Sequence, residues 1–74
     1  MKLTAMQLKE IAFVGGNVII NAEDYTIQQI KEIIFVGKNK GSSVLIKNAN
    51  ILTSIQCKTL AFINPAHVTF DFSE

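Results

Sequence analysis

"TAMQLKEIAFVGG" (residues 4–16), "TIQQIKEIIFVGK" (26–38) and "TSIQCKTLAFINP" (53–65) are three versions of one phrase. Aligned, they read Thr-x-x-Gln-apolar-Lys-x-apolar-Ala/Ile-Phe-apolar-Gly/Asn. The opening Thr-x-x-Gln (Thr4/Gln7, Thr26/Gln29, Thr53/Gln56) is a capping box: the hydroxyl accepts from the backbone N–H three residues on, and the Gln side chain reaches back to the Thr N–H. Leu3, Tyr25 and Leu52 precede the three threonines, and Leu8, Ile30 and Cys57 follow at the hydrophobic-staple spacing. Three helix starts are expected. Gly15, Gly37 and Asn64 share one column and are expected just past the last helical residue, where a left-handed residue commonly ends a helix. Pro65 forbids continuation after Asn64. The helices run to about ten residues, too short to stand alone. Their expected buried stripes are Leu8, Ile11 and Ala12; Ile30, Ile33 and Ile34; Cys57, Leu60 and Ala61.

A short extended segment follows each helix: "NVIIN" (17–21), "SVLIK" (43–47) and "HVTFDF" (67–72), the last alternating cleanly. The order is αβαβαβ. Strands separated by helices pair in parallel, in chain order, through right-handed crossovers, which puts the helices on one face. One helix–strand unit cannot bury its apolar face alone, and three is about the minimum for a stack. Strands repeat at about 4.8 Å and helices need about 8–10 Å, so one helix per strand forces curvature with the sheet on the concave side. The expected fold class is α/β: a short curved solenoid of three helix–strand repeats with a parallel three-stranded sheet. One domain covers residues 1–74, with units near 3–21, 25–47 and 52–72.

The chain has 74 residues, seven Lys and no Arg or Trp, one Cys, and a net charge of +1. A chain of this size buries only about 60–65% of its unfolded surface and commonly needs support from a disulfide, a metal or a partner. One cysteine cannot pair internally, and metal-ligand spacings are absent, so no metal or other cofactor is expected. Oligomerisation is left. The near-neutral charge and the lack of Arg argue against nucleic acid as partner. No apolar run approaches a membrane span, and Gln7, Lys9 and Glu10 break up the first apolar stretch as a signal core. With its lone free cysteine, the chain is expected to be cytoplasmic.

A curved β/α stack with a recurrent Phe resembles the leucine-rich-repeat class. The resemblance implies that shape and a role in protein binding. The class consensus L-x-x-L-x-L-x-x-N is not met: Glu23 and Ala49 stand where its Asn would fall after Val18–Ile20 and Val44–Ile46. No functional residue carries over. Locally, Thr-x-x-Gln-x-x-x-Ile-Ala followed by Gly-Gly also resembles the first helix of a TAL-effector repeat, but "NVIIN" replaces the second helix and the base-reading residues have no equivalent.

On the strands, Val18, Ile20, Val44, Ile46, Val68, Phe70 and Phe72 are expected to face the helices. The opposite face carries two columns, Ile19–Leu45–Thr69 and Asn21–Lys47–Asp71, with Lys47 beside Asp71. Nothing in the chain can cover that face, although parallel sheets are normally covered on both. These six residues are the candidate interaction face. Both outer strands leave unpaired edges, with Asp71 and Glu74 as protection at the C-terminal one. The Lys9–Lys31–Lys58 column reads as a solvated helix face, and Phe13–Phe35–Phe62 as a stacked aromatic spine. Cys57, His67 and Asp71 include the parts of a nucleophile and base. Cys57 falls on the buried stripe, however, where a cysteine is inert, so no catalytic residue is assigned. Glu23 and Asp24 read as turn residues. The Gly-bearing loops "VGG" and "VGKNKG" follow helices, the wrong context for a phosphate cradle. The expected function is a non-enzymatic protein-interaction or self-assembly module, its partner a copy of itself. A small immunity- or inhibitor-type protein holding a foreign protein is the alternative, and nucleic-acid binding a third.

Overall fold

The computed structural model describes residues 2–73. The order is α1 (Ala5–Phe13), β1 (Val18–Asn21), α2 (Ile27–Gly37), β2 (Val44–Lys47), α3 (Ser54–Ile63) and β3 (Val68–Phe70), with a single 3-10 turn at Ala49–Ile51. The strands form one parallel sheet in the order β1-β2-β3. The fold is α/β, with helices and strands alternating and an open sheet.

All three capping boxes form. Thr4, Thr26 and Thr53 sit extended at the N-caps, each with the reciprocal Gln contact. At α2 the Gln29 N–H donates to Thr26 Oγ1 at 3.1 Å and the Thr26 N–H to Gln29 Oε1 at 2.9 Å. Each box satisfies donors that a helix end leaves unpaired.

The helix ends differ from the expectation. Gly15 does take a positive φ of 94°. Gly37 is instead the last residue of α2, and its need is space: a Cβ there would fall 2.6 Å from Ser42 Cβ and 3.1 Å from the Ala12 carbonyl oxygen. The left-handed residue of that connection is Gly41. Asn64 has φ −144°, and the positive φ passes to Ala66 at 73°. Pro65 followed by a positive-φ residue, with the His67 N–H donating to the Asn64 carbonyl at 3.1 Å, is the pattern of a type II turn.

The core is one cluster. Leu8, Ala12, Ile30, Ile33, Ile34 and Leu60 from the helices meet Val18, Ile20, Val44 and Ile46 from one face of the sheet. Ala22 and Ala49 close it beneath the strand ends. Ile30, Ile33, Ile34, Ile46 and Leu60 are fully buried. Each such side chain stabilises by about 1.5–3 kcal/mol relative to exposure.

Two rows of side-chain hydrogen bonds tie the turns before the strands together. Ser42 Oγ donates to the Gly16 carbonyl at 2.7 Å, and Asn64 Nδ2 donates to the Ser42 carbonyl at 3.3 Å. Both residues are buried, so these bonds settle groups that would otherwise be costly to bury. Beside them, the Ser43 N–H donates to Asn17 Oδ1 at 2.8 Å, and Ser43 Oγ lies 3.3 Å from His67 Nδ1.

β3 is shorter than expected, ending at Phe70. The main chain still reaches one residue further, since the Asp71 N–H donates to the Ile46 carbonyl at 2.9 Å. Phe72 does not join the inward set; it is exposed and stacks on Phe70 with ring centroids 6.1 Å apart.

Candidate interaction surface

The register puts Ile19 opposite Leu45 and Leu45 opposite Thr69, with Asn21 opposite Lys47. Ile19 is 67% exposed, Leu45 half-buried and Thr69 exposed. The apolar column therefore exists as a surface, though a narrow one. In the polar column two members already have partners. Asn21 Oδ1 accepts from the Glu23 N–H, and Asp71 Oδ1 accepts from the Ser73 N–H, both at 2.9 Å. These are turns in which a side chain substitutes for a backbone acceptor. The bonds from Ser73, then the nearby Lys47 charge, hold the Asp71 carboxyl below its usual range. Of that column Lys47 is the member left without a side-chain partner among the described residues.

The edges follow from the ladder. The Val18 N–H donates to the Ser43 carbonyl at 3.0 Å and the Ala22 N–H to that of Lys47 at 2.9 Å. Main-chain groups alternate sides along a parallel strand, so Ile19 and Asn21 turn theirs to the free edge of β1. On β3, the His67 carbonyl accepts from the Val44 N–H and the Asp71 N–H reaches Ile46, which turns the main-chain groups of Val68 and Phe70 outward. Of the expected edge charges, Asp71 is bound into its own turn and Glu74 lies outside the described residues.

Positions that share an alignment column do not share burial. Leu8 and Ile30 are buried, and their counterpart Cys57 is half-buried. Ala12 and Ile34 are buried, and Ala61 is half-buried. Val18 and Val44 are buried, and Val68 is not; the same holds for Ile20 and Ile46 against Phe70. The third pair thus lacks cover on its far side. The first pair shows the reverse loss. Ile33 and Leu60 are fully buried while Ile11 is half-buried. Val14 is 79% exposed, whereas Val36 and Ile63 are half-buried.

The aromatic spine is not formed. Phe13, Phe35 and Phe62 are 58%, 63% and 84% exposed. Their column lies on the outer surface of the helices, where a ten-residue helix turns it away from the sheet. Lys40 Nζ stands 5.4 Å from the Phe13 ring centre and Lys38 Nζ 5.8 Å from that of Phe35, contacts of the cation–π kind. With Met6 and Ile55, also exposed, these rings make an apolar outer surface. The one signal for it in the sequence was the angular offset of the Phe column from Leu8, Ile30 and Cys57. The lysine column is not uniformly solvated either: Lys9 Nζ lies 3.1 Å from Glu32 Oε1 across α1 and α2. The bonds from Lys9 and then Gln28 hold the Glu32 carboxyl below its usual range. Between α2 and α3 a shallow groove of about 360 Å³ is lined by Gln28, Lys31, Phe35, Val36 and Ile63 with that ion pair at its rim.

Of Cys57, His67 and Asp71, the last two each bond to another group. His67 faces Ser43 Oγ, Asp71 holds Ser73, and partial burial pushes the Cys57 thiol up, away from the thiolate a nucleophile needs. Cys57 is nevertheless less buried than its column predicts. Among the described residues no cluster of three or more His, Cys, Asp or Glu could hold a metal ion, and no helix is long and apolar enough to cross a membrane. No protein-family model, curated protein or solved structure matches this chain.

Proposed function

We propose that this protein is a non-enzymatic interaction module, a short β/α solenoid that associates with copies of itself through its uncovered ends and open sheet face. The observation that supports this reading is the graded burial along the alignment columns. Some side chains that fill the interior in the middle pair have counterparts that stand half-covered at the ends, Ile11 in the first pair and Cys57, Ala61, Val68 and Phe70 in the third. Stacked units behave as a one-dimensional array in which each relies on its neighbours, and terminal units normally carry polar caps. Here the terminal positions are Val14, Ile11, Val68 and Phe70. At the strand edges the Asn21 carbonyl already accepts from the Asp24 N–H at 3.0 Å, but the outward groups of Ile19, Val68 and Phe70 and the Asn21 N–H are of the kind that draw in another strand. The open face contributes Ile19 and Leu45.

Light scattering from about 10 µM to about 1 mM tests the reading, because association follows mass action. A mass that rises with concentration is expected, and a constant monomer mass overturns it. A second reading, a small inhibitor- or immunity-type protein that holds a foreign protein, is favoured by the exposed Phe13, Phe35 and Phe62. It predicts that constant monomer mass.

A further inference from the structure

We infer that copies associate head to tail, α1 and β1 of one copy seating on α3 and β3 of the copy before, with Glu10 of the incoming copy meeting Lys58. This rests on the self-association reading and specifies its surfaces and its sense.

The chain contains its own template for the contact. Lys9 on α1 pairs with Glu32 on α2 at 3.1 Å. In the alignment Lys9 is equivalent to Lys31 and Lys58, and Glu32 is equivalent to Glu10 and Thr59. The internal rule is therefore that a Lys on one helix meets the acidic column of the next. By the same alignment the position offered to Lys31 is Thr59, which carries no charge. Among the described residues no helix lies beyond α3 to meet Lys58, and none lies before α1 to meet Glu10. Both are exposed, and neither has an ion partner among the described residues. The two unmet halves of the pair lie at opposite ends of the molecule.

The apolar losses match the same arrangement. Residues short of cover at the first end, Ile11 and Val14, are those whose counterparts Ile33, Leu60, Val36 and Ile63 are better covered where a helix precedes them. Residues short of cover at the other end are Cys57, Ala61, Val68 and Phe70. Their counterparts are buried where a following pair exists. The two ends lack what each other supplies. The strand edges agree in hand. On β3 the main-chain groups of Val68 and Phe70 point outward, and on β1 those of Ile19 and Asn21, so β1 can follow β3 in parallel at the register that β1 and β2 already use. A contact between unlike surfaces is heterologous and repeats into a ring or a filament according to whether the rotation closes.

The test is a charge exchange between exposed positions, which leaves the core untouched. Lys58→Glu alone and Glu10→Lys alone each place like charges at the contact. Each should weaken association about tenfold in dissociation constant, since an exposed pair turns from attractive to repulsive. Mixed in equal amounts, the two variants can alternate along the assembly so that every contact again joins opposite charges. The mass measured by sedimentation velocity should then recover towards wild type. Circular dichroism melts at low concentration should be unchanged for both. If wild type associates and neither variant changes its mass, the head-to-tail contact is wrong; loss of association in Leu45→Lys would then assign the interface to the open face. If wild type stays monomeric near 1 mM, the self-association reading fails and this contact with it.

Discussion

Gly37→Ala sets two effects against each other, and the structure decides between them. Gly37 is the last residue of α2. In a helix, Ala in place of Gly gains about 0.5–1 kcal/mol from backbone entropy. Against this, the new methyl would stand 2.6 Å from Ser42 Cβ, 2.9 Å from Ser42 Oγ and 3.1 Å from the Ala12 carbonyl oxygen. No Cβ rests at 2.6 Å from another carbon, so Ser42 or α1 must move. Overpacking of this kind costs about 1–3 kcal/mol. If Ser42 gives way, its 2.7 Å bond to the Gly16 carbonyl weakens too, for about 1 kcal/mol. The net expectation is a loss of about 1–2 kcal/mol. For a domain of this size that lowers Tm by roughly 5–15 °C, read by circular dichroism or calorimetry. A left-handed glycine would also resist Ala, so the control is a cycle with Ser42→Gly. On that background the clashing Cβ and Oγ are gone and only the 3.1 Å approach to the Ala12 carbonyl oxygen remains, so the loss from Gly37→Ala should shrink markedly. A Tm unchanged or raised by Gly37→Ala alone, or an undiminished loss on the Ser42→Gly background, refutes the steric explanation.

Thr26→Ala removes the hydroxyl that accepts the Gln29 N–H and should cost about 1 kcal/mol in chemical denaturation; an unchanged midpoint contradicts the capping role. Phe35→Ala should cost less than about 1 kcal/mol, against about 3–5 for a buried Phe, because the ring is exposed; a buried-type loss would restore the aromatic spine. Asp71 and Glu32 are both held below the usual carboxylate range. A depressed folded-state pKa gives stability that is present above the unfolded value near pH 4 and lost as pH falls through the folded value. Melts from pH 7 down to about pH 2 should therefore show a smaller loss in Asp71→Asn than in wild type, and equal slopes contradict the assignment.

The helix starts were legible because Thr-x-x-Gln is a local device: both partners lie within one turn, and nothing distant is needed to form it. Strand order and register were legible because short extended segments separated by helices pair in parallel in chain order, and the repeat alignment sets Ile19 against Leu45. What the sequence concealed depends on neighbours. Gly37 and Gly15 occupy one column, yet Gly15 serves a left-handed turn and Gly37 a close approach by Ser42, a residue in the next connection. Asn64 reads as a helix stop, but Pro65 shifts the positive φ to Ala66. Cys57 occupies the column of Leu8 and Ile30 yet is only half-buried, since among the described residues no further pair packs against its own. Asn21 and Asp71 read as free members of a polar face, while each bonds a backbone N–H two residues on. The Phe column shows how periodicity misleads when recurrence is taken for packing: its rings recur because the helices recur, on the side turned to solvent.

Amide hydrogen exchange followed residue by residue at two concentrations, about 10 µM and about 1 mM, addresses the uncovered ends directly. Head-to-tail seating predicts that the N–H groups of Ile19 and Asn21 on β1, and of Val68 and Phe70 on β3, exchange fast in dilute solution and gain protection together at the higher concentration. The Val18 and Val44 N–H groups, already bonded within the sheet, should be protected at both. Edge amides that exchange equally fast at the two concentrations, in a protein whose mass nevertheless rises, would contradict it.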